Sequence, residues 1–198
     1  MIVMNNTISD INQLDLNGSY TYADYLQWRF NERVELFKGK IFKISPAPNR
    51  SHQHISLRVT RKLDNFFVAT KCNLYVAPFD VRLVKTRSND EKVVTVVQPD
   101  LCVICDENKL DEKGCNGSPD LIVEILSPGN SKKEMGIKFD MYEENGVKEY
   151  WIVEPTEKAI FIYSLQNEKF IGLKPLTEDD KMKSILFPDL IFDVKDIF

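Results

Sequence analysis

The sequence predicts a mixed α/β fold, in which short strands alternate with two longer helices. Short runs rich in Val, Ile and Leu end at Pro, Gly, Asn or Ser, which is typical of buried strands. Apolar residues at helical spacing mark two longer segments, 52–68 and 132–145. No repeat, low-complexity stretch or linker divides the 198 residues. We therefore expect residues 1–20 to be a lead-in and residues 21–198 to form one domain.

The composition is that of an ordinary globular domain, with 43% hydrophobic and 28% charged residues. No run of about 20 apolar residues is present, so the sequence predicts no membrane-spanning helix. Residues 1–18 contain no Lys or Arg and therefore lack the basic start of a secretory signal. We expect a cytoplasmic protein with no membrane partner.

The four cysteines are expected to be free thiols, which is their usual state in a reducing cytoplasm. Cys102 and Cys105 form a C-x-x-C pair, but on a strand their side chains would point to opposite faces. No second pair follows at a matching spacing. The pattern therefore argues against a structural zinc site.

The charge is unevenly distributed along the chain. The formal net charge is −4, yet residues 27–71 hold ten Lys or Arg against three Asp or Glu, a net of +7. A basic stretch of this size could contact phosphates. It could equally be a solvated face that acids elsewhere in the fold balance.

The N-terminal part predicts a short helix followed by a hairpin. Thr21 to Asp24 has the pattern of a capped helix start. Residues 33–37 and 40–44 flank Lys38-Gly39, a plausible hairpin turn, and Glu35 lies on the first of these strands.

The loop 45–49 contains two prolines and leads into the first long helix. Ser51 is expected to be the N-cap of this helix, which then covers residues 52–68. Its core-facing stripe consists of Ile55, Val59, Leu63, Phe66 and Phe67.

Three predicted strands in the middle of the chain each carry a carboxylate inside an apolar run. They are residues 73–83 with Asp80, interrupted by Pro78, then 97–104 with Asp100, and 119–127 with Glu124. Burying an unpaired carboxylate costs several kcal/mol, so such groups persist only when they are paired, protonated or metal-bound. Two acids on two apolar strands, Asp100 and Glu124, therefore suggest one shared cation.

Residues 127–131 are expected to end the third of these strands and to cap a helix over 132–145. At 100° per residue, Lys138 borders the apolar side of this helix, about 60° from Met135. The lysine either faces a site inside the protein or reaches solvent along the helix surface. Strands over 150–153 and 159–164 and from residue 170 complete the prediction.

Asp100, Glu124 and Lys138 together have the chemistry needed to hydrolyse a phosphodiester. A hard cation such as Mg²⁺ prefers carboxylate oxygens and water, and it usually takes only one or two protein carboxylates. An amine nearby could position the attacking water or offset negative charge that develops on a phosphate.

The order of these motifs resembles that of the PD-(D/E)xK nuclease superfamily, and more narrowly the Uma family within it. The resemblance covers about residues 22–198, nearly the whole chain, and its most specific block is 100–153. The segments that carry it include Gln98-Pro99-Asp100, Ser118-Pro119-Asp120-Leu121, Val123-Glu124-Ile125-Leu126-Ser127-Pro128 and Glu149-Tyr150-Trp151-Ile152-Val153.

The resemblance implies a restriction-endonuclease-like mixed β-sheet flanked by helices, with added β-hairpins. It implies a Mg²⁺- or Mn²⁺-dependent endonuclease that hydrolyses DNA phosphodiester bonds as a homodimer. Asp100 and Glu124 would bind the metal, with the Ile125 carbonyl as a third ligand, and Glu35 would be an additional acid. The usual superfamily lysine position is Leu126 in this chain, so Lys138 on the following helix is the expected substitute.

Three further residues are accessory candidates. Asp120 shares a strand face with Glu124 and either joins the site or bonds backbone N–H groups. Asp80 either belongs to the site or forms a buried structural pair. His54, on the basic helix, either approaches the site or a phosphate, or lies satisfied on the helix face.

A second function stays open on the sequence alone. The lysine missing at Leu126 and the acidic overall charge also fit a catalytically weak or inactive module. Such a module would use the nuclease fold to bind nucleic acid or a protein partner.

Overall fold

A computed structural model describes residues 7–44, 49–127 and 132–198. The helices in this part of the chain are α1 (Tyr22–Tyr25), α2 (Arg50–Phe67) and α3 (Lys132–Asn145). The strands are β1 (Val34–Phe37), β2 (Lys40–Lys43), β3 (Asn73–Val76), β4 (Val81–Arg82), β5 (Val96–Val97), β6 (Leu101–Ile104), β7 (Leu110–Asp111), β8 (Gly114–Asn116), β9 (Leu121–Ile125), β10 (Glu149–Glu154), β11 (Ala159–Gln166), β12 (Lys169–Gly172), β13 (Lys181–Lys183) and β14 (Ile191–Asp193).

Two mixed sheets organise these strands. The central sheet has the order β12-β11-β10-β9-β6-β3, and only its β9–β10 pair is parallel. The second sheet has the order β2-β1-β5-β4-β8-β7, and β13 pairs with β14 as a separate hairpin. The mixed α/β fold predicted from the sequence is therefore confirmed.

Helix α2 covers one face of the central sheet because its apolar residues recur at helical spacing. Its side chains at Ile55, Val59, Leu63 and Phe67 are at most 2% exposed, and they pack against β6 and β9. Burying a side chain of this kind contributes about 1.5 to 3 kcal/mol, so the stripe holds the helix firmly in place.

Helix α3 covers the opposite face of the sheet. Met141 and Tyr142 pack with Cys102 of β6 and Ile122 of β9, which alternate along their strands with the residues that face α2. Since Glu124 has the same parity as Ile122, its side chain belongs to the α3 side of the sheet.

Two predicted element boundaries are wrong. The strand predicted over residues 73–83 is two strands in different sheets, because the chain leaves β3 at Ala77 and Pro78, which has no N–H to donate, before β4 begins. The N-cap of α2 is Asn49 rather than Ser51, and the Asn49 side chain accepts a hydrogen bond from the His52 N–H at 2.9 Å. The predicted segments 45–48 and 128–131 lie outside the described residues.

The expectation of four free thiols is also wrong, because Cys72 and Cys105 form a disulfide. The register of the central sheet explains the pairing, since Asn73 of β3 lies opposite Ile104 of β6. The next residues outward, Cys72 and Cys105, are then directly opposed. Cys102 and Cys115 are free and buried.

Within the predicted lead-in, Ile11 and Leu14 are buried against Tyr22 and Trp28. Over the described ranges, no helix is both long enough and apolar enough to cross a bilayer.

Candidate active site

The pairing of β6 with β9 places Asp100 beside Glu124. In this antiparallel pair Leu101 lies opposite Val123, so Asp100, one residue before β6, comes level with Glu124 near the end of β9. Oδ2 of Asp100 accepts a hydrogen bond from the Ile125 N–H at 2.7 Å. The two acids predicted to share a cation therefore lie side by side at the same end of β6 and β9, where the charge of Asp100 acts on Glu124.

Helix α3 brings a lysine and a tyrosine to the same carboxylate. Lys138 Nζ donates to Oε1 of Glu124 at 2.9 Å, and the Tyr142 O–H donates to the same oxygen at 2.6 Å. Residues four apart lie on one face of a helix, so both side chains point to the sheet. The Lys138 side chain is 13% exposed, so it turns inward and does not reach out to solvent.

Glu35 of β1 approaches the cluster from the second sheet. Its Oε1 accepts a hydrogen bond from Lys138 Nζ at 3.4 Å and another from the Gln98 N–H at 2.9 Å. Gln98 lies two residues before Asp100. The short segment from Gln98 to Asp100 therefore holds the side chain of Glu35 through the Gln98 N–H and also carries Asp100 itself. The side chain of Glu35 is buried, as is that of Glu124.

His52 completes the group, although the sequence analysis selected His54 instead. His52 Nε2 lies 3.1 Å from Oδ2 of Asp100, and the side chain is 9% exposed. His54 is exposed on the outer face of α2. A signal for His52 was present, because it precedes Ile55 by three residues and Val59 by seven and so continues the core-facing stripe.

Burial and the neighbouring acids set the ionisation of the cluster. Burial raises the pKa of Glu124, and the attraction of Lys138 opposes the added effect of Asp100 and Glu35, so the pKa is about 7. Burial alone would lower the pKa of Lys138, but the charges of Glu124 and Glu35 hold it above its ordinary value. Lys138 is therefore a cation at neutral pH.

The pKa values of His52 and Tyr142 are also shifted by burial and by the charges of the neighbouring acids. Burial alone would lower the pKa of His52, but the hydrogen bond and charge of Asp100 raise it above its ordinary value. Burial and the charge of Glu124 raise the pKa of Tyr142, so its hydroxyl remains a hydrogen-bond donor. The three carboxyl groups of Asp100, Glu124 and Glu35 therefore outnumber the two groups that can carry a positive charge, Lys138 and His52, and the cluster has an excess of negative charge.

Two accessory candidates lie outside this group. Asp80 accepts hydrogen bonds from Tyr22, Tyr25 and the side chain of Gln98, so it reaches Glu35 only through Gln98. Asp120 lies just before the start of β9, at the end opposite Glu124. There it accepts a hydrogen bond from the Cys105 N–H at 2.8 Å and pairs with Lys148 at 2.6 Å.

Asp100 and Glu124 are the candidate ligands for a divalent metal ion at this site. Over the described ranges, no three His, Cys, Asp or Glu side chains are grouped in a way that would hold a metal ion. A pair of carboxylates is nevertheless sufficient for Mg²⁺ or Mn²⁺, which retain several waters. The described hydrogen bonds to these carboxylates reach Oδ2 of Asp100 and Oε1 of Glu124. These all-oxygen ligands and the excess of negative charge fit a hard cation.

Comparisons with known proteins identify the family of this chain. A family model described as Uma2, "Putative restriction endonuclease", matches residues 22–195. An uncharacterized protein of Synechocystis sp. is 28% identical over 143 residues, which are 71% of each chain.

A solved structure shares the fold. It is described as "a putative nuclease belonging to DUF820" from Anabaena variabilis, and it matches with a TM-score of 0.68 and 20% identity over 90% of this chain and 97% of that one. The restriction-endonuclease-like fold predicted from the sequence is therefore confirmed.

Proposed function

Because the chain belongs to the Uma2 family, described as "Putative restriction endonuclease", we propose that it is a Mg²⁺-dependent endonuclease that hydrolyses DNA phosphodiester bonds. The observation that carries the proposal is the cluster of Asp100 and Glu124 with the cationic Lys138. Mn²⁺ is expected to replace Mg²⁺, since both prefer oxygen ligands.

The acids of the cluster, Lys138 and Tyr142 each have a definite part in this proposal. Asp100 and Glu124 would hold the cation, which when bound would supply positive charge to a phosphoryl oxygen. The Ile125 carbonyl would be the third ligand. Lys138 is already protonated, so it cannot accept a proton from water; its ammonium group would stabilise negative charge that develops on the phosphate. Glu35 and Tyr142 orient Lys138 and Glu124, respectively, through the hydrogen bonds they share with them.

A cleft lies next to the chain segments that carry Glu124 and His52, and we propose that it receives part of the substrate. Its volume is about 390 Å³, and Leu126 and Ser127, the residues that follow Ile125, line one side. The first residues of α2 and the segment 154–156 line the remainder. Exposed Arg50, between the lining residues Asn49 and Ser51, would offer positive charge to a phosphate backbone, whereas Glu154 in the lining is an acid.

A homodimer is part of the proposal. Each chain contributes one acid cluster, and cutting both strands of a duplex in one encounter requires two. A molar mass measured by light scattering in the presence of duplex DNA tests this part separately.

A specific observation favours a second candidate function, a nuclease-fold module that binds nucleic acid or protein without cleaving it. Lys138 Nζ is already hydrogen-bonded to both Glu124 and Glu35, and Leu126 occupies the usual lysine position. Such a module would bind its partner equally well when Asp100 and Glu124 are both replaced by amides.

The experiment is metal-dependent cleavage of supercoiled plasmid and short duplexes, with single-stranded DNA and RNA in parallel. We expect cleavage with Mg²⁺ or Mn²⁺, none with EDTA, and a loss of at least about a hundredfold in Asp100→Asn and Glu124→Gln. Asp120→Asn is the matched control, because this acid belongs to the same segment but lies outside the cluster. Absence of cleavage of every substrate, or equal cleavage by Glu124→Gln and the wild type, would overturn the proposal.

A further inference from the structure

We propose that His52 is a positioning residue that fixes the carboxylate of Asp100 so that Oδ1 remains available to the cation. This inference rests on the proposed function, because it assigns His52 a role toward the metal site. It concerns a residue that the sequence motifs did not select.

The first observation is that both described hydrogen bonds of Asp100 reach the same oxygen. Oδ2 accepts from the Ile125 N–H at 2.7 Å and lies 3.1 Å from Nε2 of His52. The terminal torsion of an aspartate is soft and roughly two-fold, so a single donor would leave the two oxygens free to exchange. Two donors on different elements, β9 and α2, resist that rotation and leave Oδ1 as the oxygen for a ligand.

The second observation concerns the other nitrogen of the ring. A carboxylate only accepts hydrogen bonds, so Nε2 must carry the proton that it shares with Asp100. Nδ1 of His52 is buried and, in the described part of the chain, is the one buried side-chain polar atom with no partner. Such an atom costs about 1 to 3 kcal/mol, which an apolar side chain at this position would avoid. The bond to Asp100 therefore accounts for a histidine at this position better than the packing of the core does.

The surroundings of His52 make the role separable from packing. It precedes Ile55 and Val59 on the buried stripe of α2, where an unbranched apolar residue would also pack. Residues that hydrogen-bond to metal ligands typically change metal affinity by 10- to 100-fold when they are removed. His54, two residues later and exposed, provides a matched control on the same helix.

The test is calorimetric titration of Mn²⁺ into metal-free protein, which requires no substrate. His52→Met removes the donor and keeps a similar volume, whereas His52→Gln keeps an N–H donor near the position of Nε2. We expect Mn²⁺ affinity to fall 10- to 100-fold in His52→Met, to stay within a few-fold of the wild type in His52→Gln, and to be unchanged in His54→Gln.

Thermal unfolding in EDTA establishes that each variant is folded before titration, and His52→Ala replaces His52→Met if the methionine does not pack. Wild-type affinity in His52→Met, or an equal loss in His52→Met and His52→Gln, would overturn the role of His52 alone. A wild-type protein that binds no Mn²⁺ would overturn both this role and the proposed function, so the two failures are distinguishable.

Discussion

Two charge clusters in the described part of the chain, one around buried Arg82 and one around buried Glu124, differ in how completely their charges are matched. Arg82 of β4 is surrounded by partners: it pairs with Asp90 and Asp111 and donates to the backbone carbonyl of Cys115. Lys113 adds a second cation at Asp90. In the cluster of Asp100, Glu124 and Glu35, three acids face Lys138 and one histidine.

The pKa values of the acids are shifted in opposite directions in the two clusters. At Asp90, burial is outweighed by Lys113 and Arg82, and at Asp111 it is outweighed by Arg82, so both pKa values are lowered. At Glu124 burial prevails and the pKa rises to about 7. A cluster that stabilises the fold holds its acids ionised, whereas the Glu124 cluster would gain from an additional cation. Strongly perturbed groups of this kind are typical of functional sites.

The largest expected effect is on stability, in the Arg82 cluster. Arg82→Met leaves Asp90 and Asp111 without their shared cation, and we expect the free energy of unfolding to fall by about 3 kcal/mol. This is the lower end of the range for breaking a buried pair, because both acids retain some contact with solvent. Urea denaturation measures it, with Lys85→Met, which removes an exposed pair with Glu168, as the control. If both substitutions cost the same, the Arg82 cluster does not support the fold as described.

The next largest effect is on activity, in the Glu124 cluster. Lys138→Met removes the ammonium group proposed to stabilise the phosphate, so cleavage at saturating Mg²⁺ should fall about a hundredfold. Single-turnover cleavage of a labelled duplex measures this step. Lys148→Met, which removes the partner of Asp120 at the other end of β9, is the matched control. Cleavage by Lys138→Met at the wild-type rate would restrict that lysine to a structural role.

The smallest effect is the pH dependence of stability in the absence of metal. Because the folded pKa of Glu124 is raised to about 7 and that of His52 lies above its ordinary value, the folded protein binds more protons than the unfolded chain, and stability falls as pH rises from about 5 to 7. We expect a loss of the order of 2 kcal/mol, or about 4 to 8 °C in the unfolding temperature. Thermal unfolding in EDTA measures the loss, and Mg²⁺ should reverse most of it. A stability that rises over this range would contradict the excess of negative charge.

Sequence patterns were most informative where alternation and helical spacing determined burial. The apolar runs around Asp100 and Glu124 predicted two strands, and the angular position of Lys138 placed it at the border of the inward face of α3. Register explains why the acids are adjacent, and register depends on strand pairing, which a single sequence does not specify.

The remaining differences arose from non-local contacts. The disulfide joins Cys72 and Cys105, which lie 33 positions apart in the sequence. It follows from the pairing of β3 with β6, which brings the two cysteines together. His54 was selected for its charge context, while His52 is the histidine that the buried face of α2 carries to Asp100. The interruption of residues 73–83 by Pro78 was visible in the sequence, but not that the chain changes sheets there, because that change depends on which strands β3 and β4 pair with.

The most direct test of the shared cation is the anomalous scattering of Mn²⁺ in a crystal of the wild-type protein. We predict one strong peak between Asp100 and Glu124, about 2.1 Å from an oxygen of each carboxylate, with a much weaker peak in Glu124→Gln. A fully occupied Mn²⁺ site elsewhere in the molecule, or no peak at millimolar Mn²⁺, would contradict a metal site between Asp100 and Glu124.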